Sequence, residues 1–161
     1  MADTSTRDFA MSLFQKAYKA QMAGKLEEAI DLYKQSIDVM PTAEAHTFLG
    51  WTYSFQNRLD EAIEECFKAI EVDSTFGNPY NDIGVYLMEK GDHVAAVPWL
   101  KRAMVAPRYE CYFYPHYNLG RIYEKQGKLI EAMGCYSRAV EYNPNYKLAI
   151  KSIRKLQKIL N

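Results

Sequence analysis

Covalent or metal chemistry in this chain would fall to three cysteines, Cys66, Cys111 and Cys135, and to three scattered histidines. No Cys-x-x-Cys pair occurs, and an odd cysteine count suits a reducing compartment better than a disulfide framework. Cys66 and Cys135 fall inside helical patterns and are expected as packed thiols, whereas Cys111 falls in a loop. His46 and His116 hold equivalent places in a repeating pattern, which argues for structural filler over metal ligands. There is no Gly-x-x-x-x-Gly-Lys phosphate loop, no His-Glu-x-x-His zinc helix and no Gly-x-Ser-x-Gly elbow. The carboxylates mostly mark helix starts and solvent faces, as at Asp60, Glu61 and Asp92. No catalytic residue, no cofactor and no metal is expected. What remains is recognition, carried by aromatic, amide and basic side chains whose placement depends on the elements beneath them.

Those elements repeat. Gly-x-x-x-Glu-Ala at residues 24–29 returns in looser form at 57–62, 91–96 and 127–132, and its alanines are 33, 34 and 36 residues apart. A period near 34 marks a solenoid of helix–turn–helix units. Aligned on those alanines, three columns hold only small residues: Ala17, Gly50, Gly84 and Gly120; Ala29, Ala62, Ala96 and Ala132; Ser36, Ala69, Ala103 and Ala139. Small side chains let two helix backbones approach toward the low end of the roughly 8–10 Å interaxial range. Tyr53, Leu87 and Tyr123 before the turn, with Tyr33, Leu100 and Tyr136 after it, would fill the space alongside. Gly24, Asn57, Gly91 and Gly127 stand where each first helix should stop, and Gly and Asn accept a left-handed C′ residue cheaply. Pro41 and Pro144 end second helices, Pro79 and Pro115 open first helices, and Pro98 should bend one.

This pattern resembles the tetratricopeptide repeat family. Unit four carries it best, in Tyr117-Asn118-Leu119-Gly120, Tyr123, Gly127, Glu131-Ala132, Tyr136, Ala139 and Pro144. Unit one departs most, with Lys16 and Ala20 in place of large apolar residues. The resemblance implies an all-α fold: a right-handed α-solenoid of antiparallel helix pairs with about nine helices. A single domain is expected over 1–161, with repeats at approximately 10–42, 43–76, 77–110 and 113–144 and a capping helix at 145–160. The cap is legible by itself, because Tyr146, Ala149, Ile150, Ile153, Leu156 and Leu160 recur at three- and four-residue steps. Its other face bears Lys147, Lys151, Arg154, Lys155 and Lys158.

In tetratricopeptide repeats the first helix of each unit lines a concave surface along which partners lie. One-turn spacing on that face selects Met11, Phe14, Tyr18 and Met22 from unit one, then Thr47, Trp51, Ser54 and Phe55 from unit two. Unit three offers Asn78, Asn81, Val85, Met88 and Glu89, and unit four Tyr114, Tyr117, Arg121, Glu124 and Lys125. The expected peptide-binding groove is Phe14, Tyr18, Met22, Trp51, Phe55, Asn81, Met88, Tyr117, Arg121 and Lys125. Its first half is aromatic and Met-rich, its second half amide and charged. Trp and Tyr are typical hot-spot residues, and Met adapts to irregular apolar ligands. A subclass of the family grips the C-terminal carboxylates of heat-shock chaperones with Lys, Asn and Arg. Here Phe14 and Tyr18 replace the Lys and Asn, and Phe48, Asn78 and Asp82 follow, so chaperone tails are not the expected partner.

The expected function is a non-catalytic adaptor or scaffold that binds a peptide or amphipathic helix of another protein. The alternative is self-assembly into a homo-oligomer, head to tail or through the aromatic loop at 108–114. Residues 1–80 carry 7 Lys+Arg and 13 Asp+Glu, a net −6, and residues 81–161 carry 13 and 7, a net +6. Opposite ends of that kind could stack in a contact that propagates. The neutral total lacks the basic stripe of a nucleic-acid surface. No apolar run reaches the roughly 20 residues of a membrane span, and Met1–Asp8 has no signal-peptide core, so the cytosol is expected.

Overall fold

The structure, a computed structural model, describes residues 3–161. Nine helices account for most of them: α1 Thr4–Met22, α2 Leu26–Val39, α3 Ala43–Phe55, α4 Leu59–Val72, α5 Asn78–Glu89, α6 His93–Met104, α7 Phe113–Lys125, α8 Leu129–Tyr142 and α9 Lys147–Leu160. Met1 and Ala2 lie outside the described residues, so the leader reading over Met1–Asp8 is covered only in part. From Thr4 onward that stretch is helical, with Asp3 as N-cap accepting from the Thr6 amide at 2.6 Å. The first helix thus starts before residue 10.

The sequence repeat becomes a repeated turn. Gly24, Asn57, Gly91 and Gly127 have φ of 77°, 58°, 88° and 76°. At each, the next amide reaches back five residues: Lys25 to Ala20, Arg58 to Tyr53, Asp92 to Leu87 and Lys128 to Tyr123, at 2.9–3.0 Å. The left-handed residue itself bonds three residues back, and the two bonds together form a Schellman motif. The same hydrogen-bonded turn thus joins the two helices of all four pairs. Within each pair the small columns are fully buried. A Cβ on Gly84 would lie 2.5 Å from Leu100 Cδ2, and one on Gly120 2.6 Å from Tyr136 Cε1. The large side chain of the second helix therefore occupies the volume that the glycine leaves.

Helices pack mainly on their sequence neighbours, as expected of a solenoid. Beyond that, α1 touches α3, α3 touches α5 and α5 touches α7, while the second helices barely meet one another. The stack therefore curves with the first helices inside. The architecture is an all-α solenoid, and α9 closes its end with Ala149 and Leu156 buried against α8. Leu160, read from sequence as part of that apolar face, is instead exposed. Pro98 sits inside α6 without ending it.

The two-residue excess before unit four has a defined role. The Gly77 amide donates to Arg108 O at 3.0 Å and the Arg108 amide to Thr75 O at 2.9 Å, zipping the loop to the segment before α5. The Arg108 guanidinium binds Glu44 at 2.6 Å and Asp73 at 2.9 Å, and lies over the Phe76 ring. Tyr109 rests directly on the bare backbone of Gly77. The aromatics of this loop pack inward: Tyr112 against Tyr109 and Tyr142, and Phe113 against Tyr146.

Candidate binding groove

On the inner face of α1 and α3 the expected aromatics form one connected wall. Phe14 and Tyr18 meet Phe48 edge-on at 5.3 and 5.8 Å, Phe48 meets Trp51 at 5.8 Å, and Trp51 meets Phe55 at 5.2 Å. Edge-to-face and tilted pairs at these distances fix each ring against the next. Phe48, absent from the sequence-derived groove, is the hub of this wall and also stacks on Tyr33 of α2. Its signal was its place three residues before Trp51, on the same helical face. Tyr18, Met22 and Phe55 stay open to solvent at 43%, 51% and 55%.

The second half of the face is polar and more enclosed. Asn81 of α5 is buried, and its Oδ1 accepts from Asn118 Nδ2 of α7 at 3.1 Å. Arg121 donates to Asn118 Oδ1 at 3.3 Å, with its guanidinium 5.9 Å from the Tyr117 ring. Tyr117 packs on Tyr136 and, edge-on, on Tyr146, so the residue that opens α9 joins the wall. Burial pushes the Tyr146 phenol up to about 12. Lys125 is exposed at the rim.

Met88 does not line the groove. It is 8% exposed and packs with Leu100, Leu119 and Ile122 in the core between α5, α6 and α7. Asn81, seven residues earlier on nearly the same stripe, also points toward α7. The open face of α5 carries the expected Asn78, Asn81 and Val85, and Asp82 joins them where Met88 drops out.

Between the two halves lies a cavity of about 340 Å³, lined by Thr47, Phe48, Trp51, Asn78, Asn81, Asp82, Val85, Tyr109, Tyr114 and Asn118. Phe48, Asp82, Tyr109 and Asn118 are the members that the sequence-derived face lacked. Burial raises the Asp82 carboxyl to about 7, with the Asn81 side chain pulling weakly the other way. Burial likewise raises the phenols of Tyr109 and Tyr114.

The other groups able to do chemistry are engaged elsewhere. His46 Nδ1 lies 2.7 Å from Glu65 Oε2, and Lys68 holds the other Glu65 oxygen at 3.0 Å. Burial pushes the Glu65 carboxyl up, but His46 and Lys68 outweigh it and hold it below the usual range. His116 stacks on Tyr142 at 5.3 Å. Cys66 is buried, and burial drives its thiol well above the ordinary value; Cys135 is partly buried and pushed up to about 11. Cys111 is partly covered in the loop.

The tetratricopeptide repeat family is matched twice, over residues 43–76 and 114–146. No curated protein matches the chain in sequence. Among solved structures it is similar to Pseudomonas aeruginosa pilF, at TM-score 0.85 and 23% identity over 93% of this chain and 68% of that one. It is also similar to MamA, at 0.73 and 25% over 97% and 83%. A third is YrrB, described as a TPR protein with an unusual peptide-binding site, at 0.68 and 20% over 93% and 77%. At such identities the likeness is one of fold, and the groove above rests on this chain's own residues. Four Schellman turns, buried small columns, an inner layer of first helices and two matched repeats together make the chain a member of the tetratricopeptide repeat family.

Proposed function

We propose that the chain is a non-catalytic adaptor that holds a peptide or helical segment of another protein against the inner face of its first helices. The observation that carries this is the connected wall of Phe14, Tyr18, Phe48, Trp51 and Phe55, part of which stays open to solvent. A row of large aromatics left uncovered on a concave face is costly in water unless something covers it. The fold is compatible with this, since the similar YrrB is described as a TPR protein with a peptide-binding site. The polar half, with Asn81, Asn118, Tyr117, Arg121 and Lys125, would set the register and direction of the bound segment. An unpaired carboxylate at Asp82 disfavours the C-terminal carboxylate of a chaperone tail. Three free cysteines support a cytosolic setting. Among the described residues, no helix is long and apolar enough to cross a membrane.

An array of capped peptides probed with the purified chain tests the reading. Binders retitrated against Trp51→Ala and Tyr18→Ala should lose about 2 kcal/mol in at least one variant, the scale of a hot-spot truncation. Unchanged affinity in both removes the groove as the site.

Self-association is favoured by a separate observation, the −6 and +6 halves of the chain. Of the loop aromatics only Tyr114 is exposed, at 40%, so stacking would use mainly the charged ends. Sedimentation at low and high salt tests it: a monomer at both salt concentrations removes this second reading.

A further inference from the structure

The cavity between the two halves holds a carboxylate without a cation. Among the described residues no Lys, Arg or His comes within ion-pair distance of Asp82. The cations nearby in the fold are already committed: Arg108 to Glu44 and Asp73, and Arg121 to the Asn118 amide. The same cavity is walled by four rings, Phe48, Trp51, Tyr109 and Tyr114, and by the amides of Asn78 and Asn118. Its volume of about 340 Å³ lies at the small end of the roughly 300–1,000 Å³ of ligand pockets, enough for a side chain but not for a helix. Aromatic faces around a negative charge form the environment that attracts an ammonium or guanidinium group.

We propose that this cavity is a specificity pocket for one lysine or arginine side chain of the bound segment, with Asp82 as its counter-ion and the aromatic rings as its walls. The proposal rests on the groove reading above and narrows the partner to a basic segment of a different protein. Burying an unpaired carboxylate is unfavourable in the free protein, and a cation entering the pocket relieves that cost. The titratable groups facing Asp82 are Cys66 from α4, Tyr86 on its own helix, Tyr109 from the loop and Tyr114 from α7. Helix α3 contributes only Thr47, Phe48 and Trp51, and α6 contributes nothing to the pocket. Burial raises all four of these groups, so between pH 5 and 8 they stay neutral and Asp82 alone changes charge.

The test uses the full chain and three probes: the Nα-acetyl N-methylamides of lysine, arginine and norleucine. Binding is read from the Trp51 indole N–H resonance and the Asp82 carboxyl carbon. Lysine and arginine should bind about tenfold tighter than norleucine, an advantage of the size expected for a cation–π contact joined to an ion pair. That advantage should grow from pH 5 to pH 8 and vanish in Asp82→Asn. It should survive in Asp60→Asn, which removes an exposed carboxylate on the outer face of α4. Equal binding of norleucine and lysine overturns the proposal, as does a preference that persists in Asp82→Asn or no shift with any probe. Should Asp82→Asn unfold, the wild-type pH profile and the norleucine comparison still decide. If array peptides depend on Trp51 but show no basic preference, the pocket falls and the groove stands. If none depends on Trp51, both fall. Self-association that disappears in Asp82→Asn would seat a second copy's lysine in the pocket and overturn the assignment to a foreign partner.

Discussion

The inner face has two halves built on opposite logic. On α1 and α3, rings touch rings, and exposure rises outward from Phe48 to Phe55 and Met22. On α5 and α7, amides and charges hold one another, through Asn118 to Asn81 and Arg121 to Asn118. The first half can supply affinity with little direction, since apolar burial is non-directional. The second can supply direction with little affinity, because hydrogen bonds exchanged with water net only about 1 kcal/mol each. Asp82 stands where the two meet, in the cavity that residues of both line.

The strongest way to break this contrast is at its hub. Phe48 contacts Phe14, Tyr18, Tyr33 and Trp51, so Phe48→Ala should cost about 3 kcal/mol of stability and abolish binding of array peptides. Chemical denaturation measures the first effect and titration the second. A loss well below 1 kcal/mol would mean that the wall is a loose row and not one unit. Trp51→Ala comes next, at about 2 kcal/mol of affinity with the fold intact. Because that contact is apolar, its loss should be the same at 50 mM and 500 mM salt; a salt-dependent loss would blur the two halves into one.

Asp82→Asn sharpens the boundary between them through stability. A carboxyl raised from its usual acidic range to about 7 in the fold stabilises fully below the unfolded value, and that contribution is lost as pH rises through about 7. The substitution should therefore leave stability near wild type at pH 4 and raise it by about 1–2 kcal/mol at pH 8. This is less than the full shift implies, since the side chain keeps some contact with water. Burial depresses His116, which gives the opposite slope near pH 6, and Glu65 loses its contribution only below its ordinary acidic range. Taking the difference between wild type and variant at each pH cancels both. A variant no more stable at pH 8 would show that Asp82 is comfortably solvated, and would weaken the specificity pocket.

How far the sequence reaches differs by scale. The four left-handed turns were legible because one residue's backbone preference decides each of them, and Gly24, Asn57, Gly91 and Gly127 all adopt positive φ. The buried columns were legible because only small residues permit the close approach of two helices. The place of Met88 was not, since it is decided by what packs against α5: Leu100 of α6, with Leu119 and Ile122 of α7. With Met88 in the core and Asp82 beside Asn78, Asn81 and Val85, the chemistry of the floor differs from the expected one. The loop behaved similarly. Its length could be counted, but its direction follows from the bare Gly77 backbone and from Arg108 bridging Glu44 and Asp73.

The smallest expected effect tests the polar half at its rim. Lys125 is exposed and makes no ion pair among the described residues, and Arg121 makes one long hydrogen bond to Asn118. Charges of this kind act through screened water, where surface pairs are worth roughly 0–1 kcal/mol. Lys125→Gln should therefore weaken an acidic-ended peptide by no more than about threefold at 50 mM salt, mostly by slowing association, and the effect should fade at 500 mM. Arg121→Gln should do slightly more, because it also frees the Asn118–Asn81 pair that borders the pocket. If either change matched Trp51→Ala in size and persisted at high salt, the polar half would be a second source of affinity. The division between a gripping half and a reading half would then be wrong.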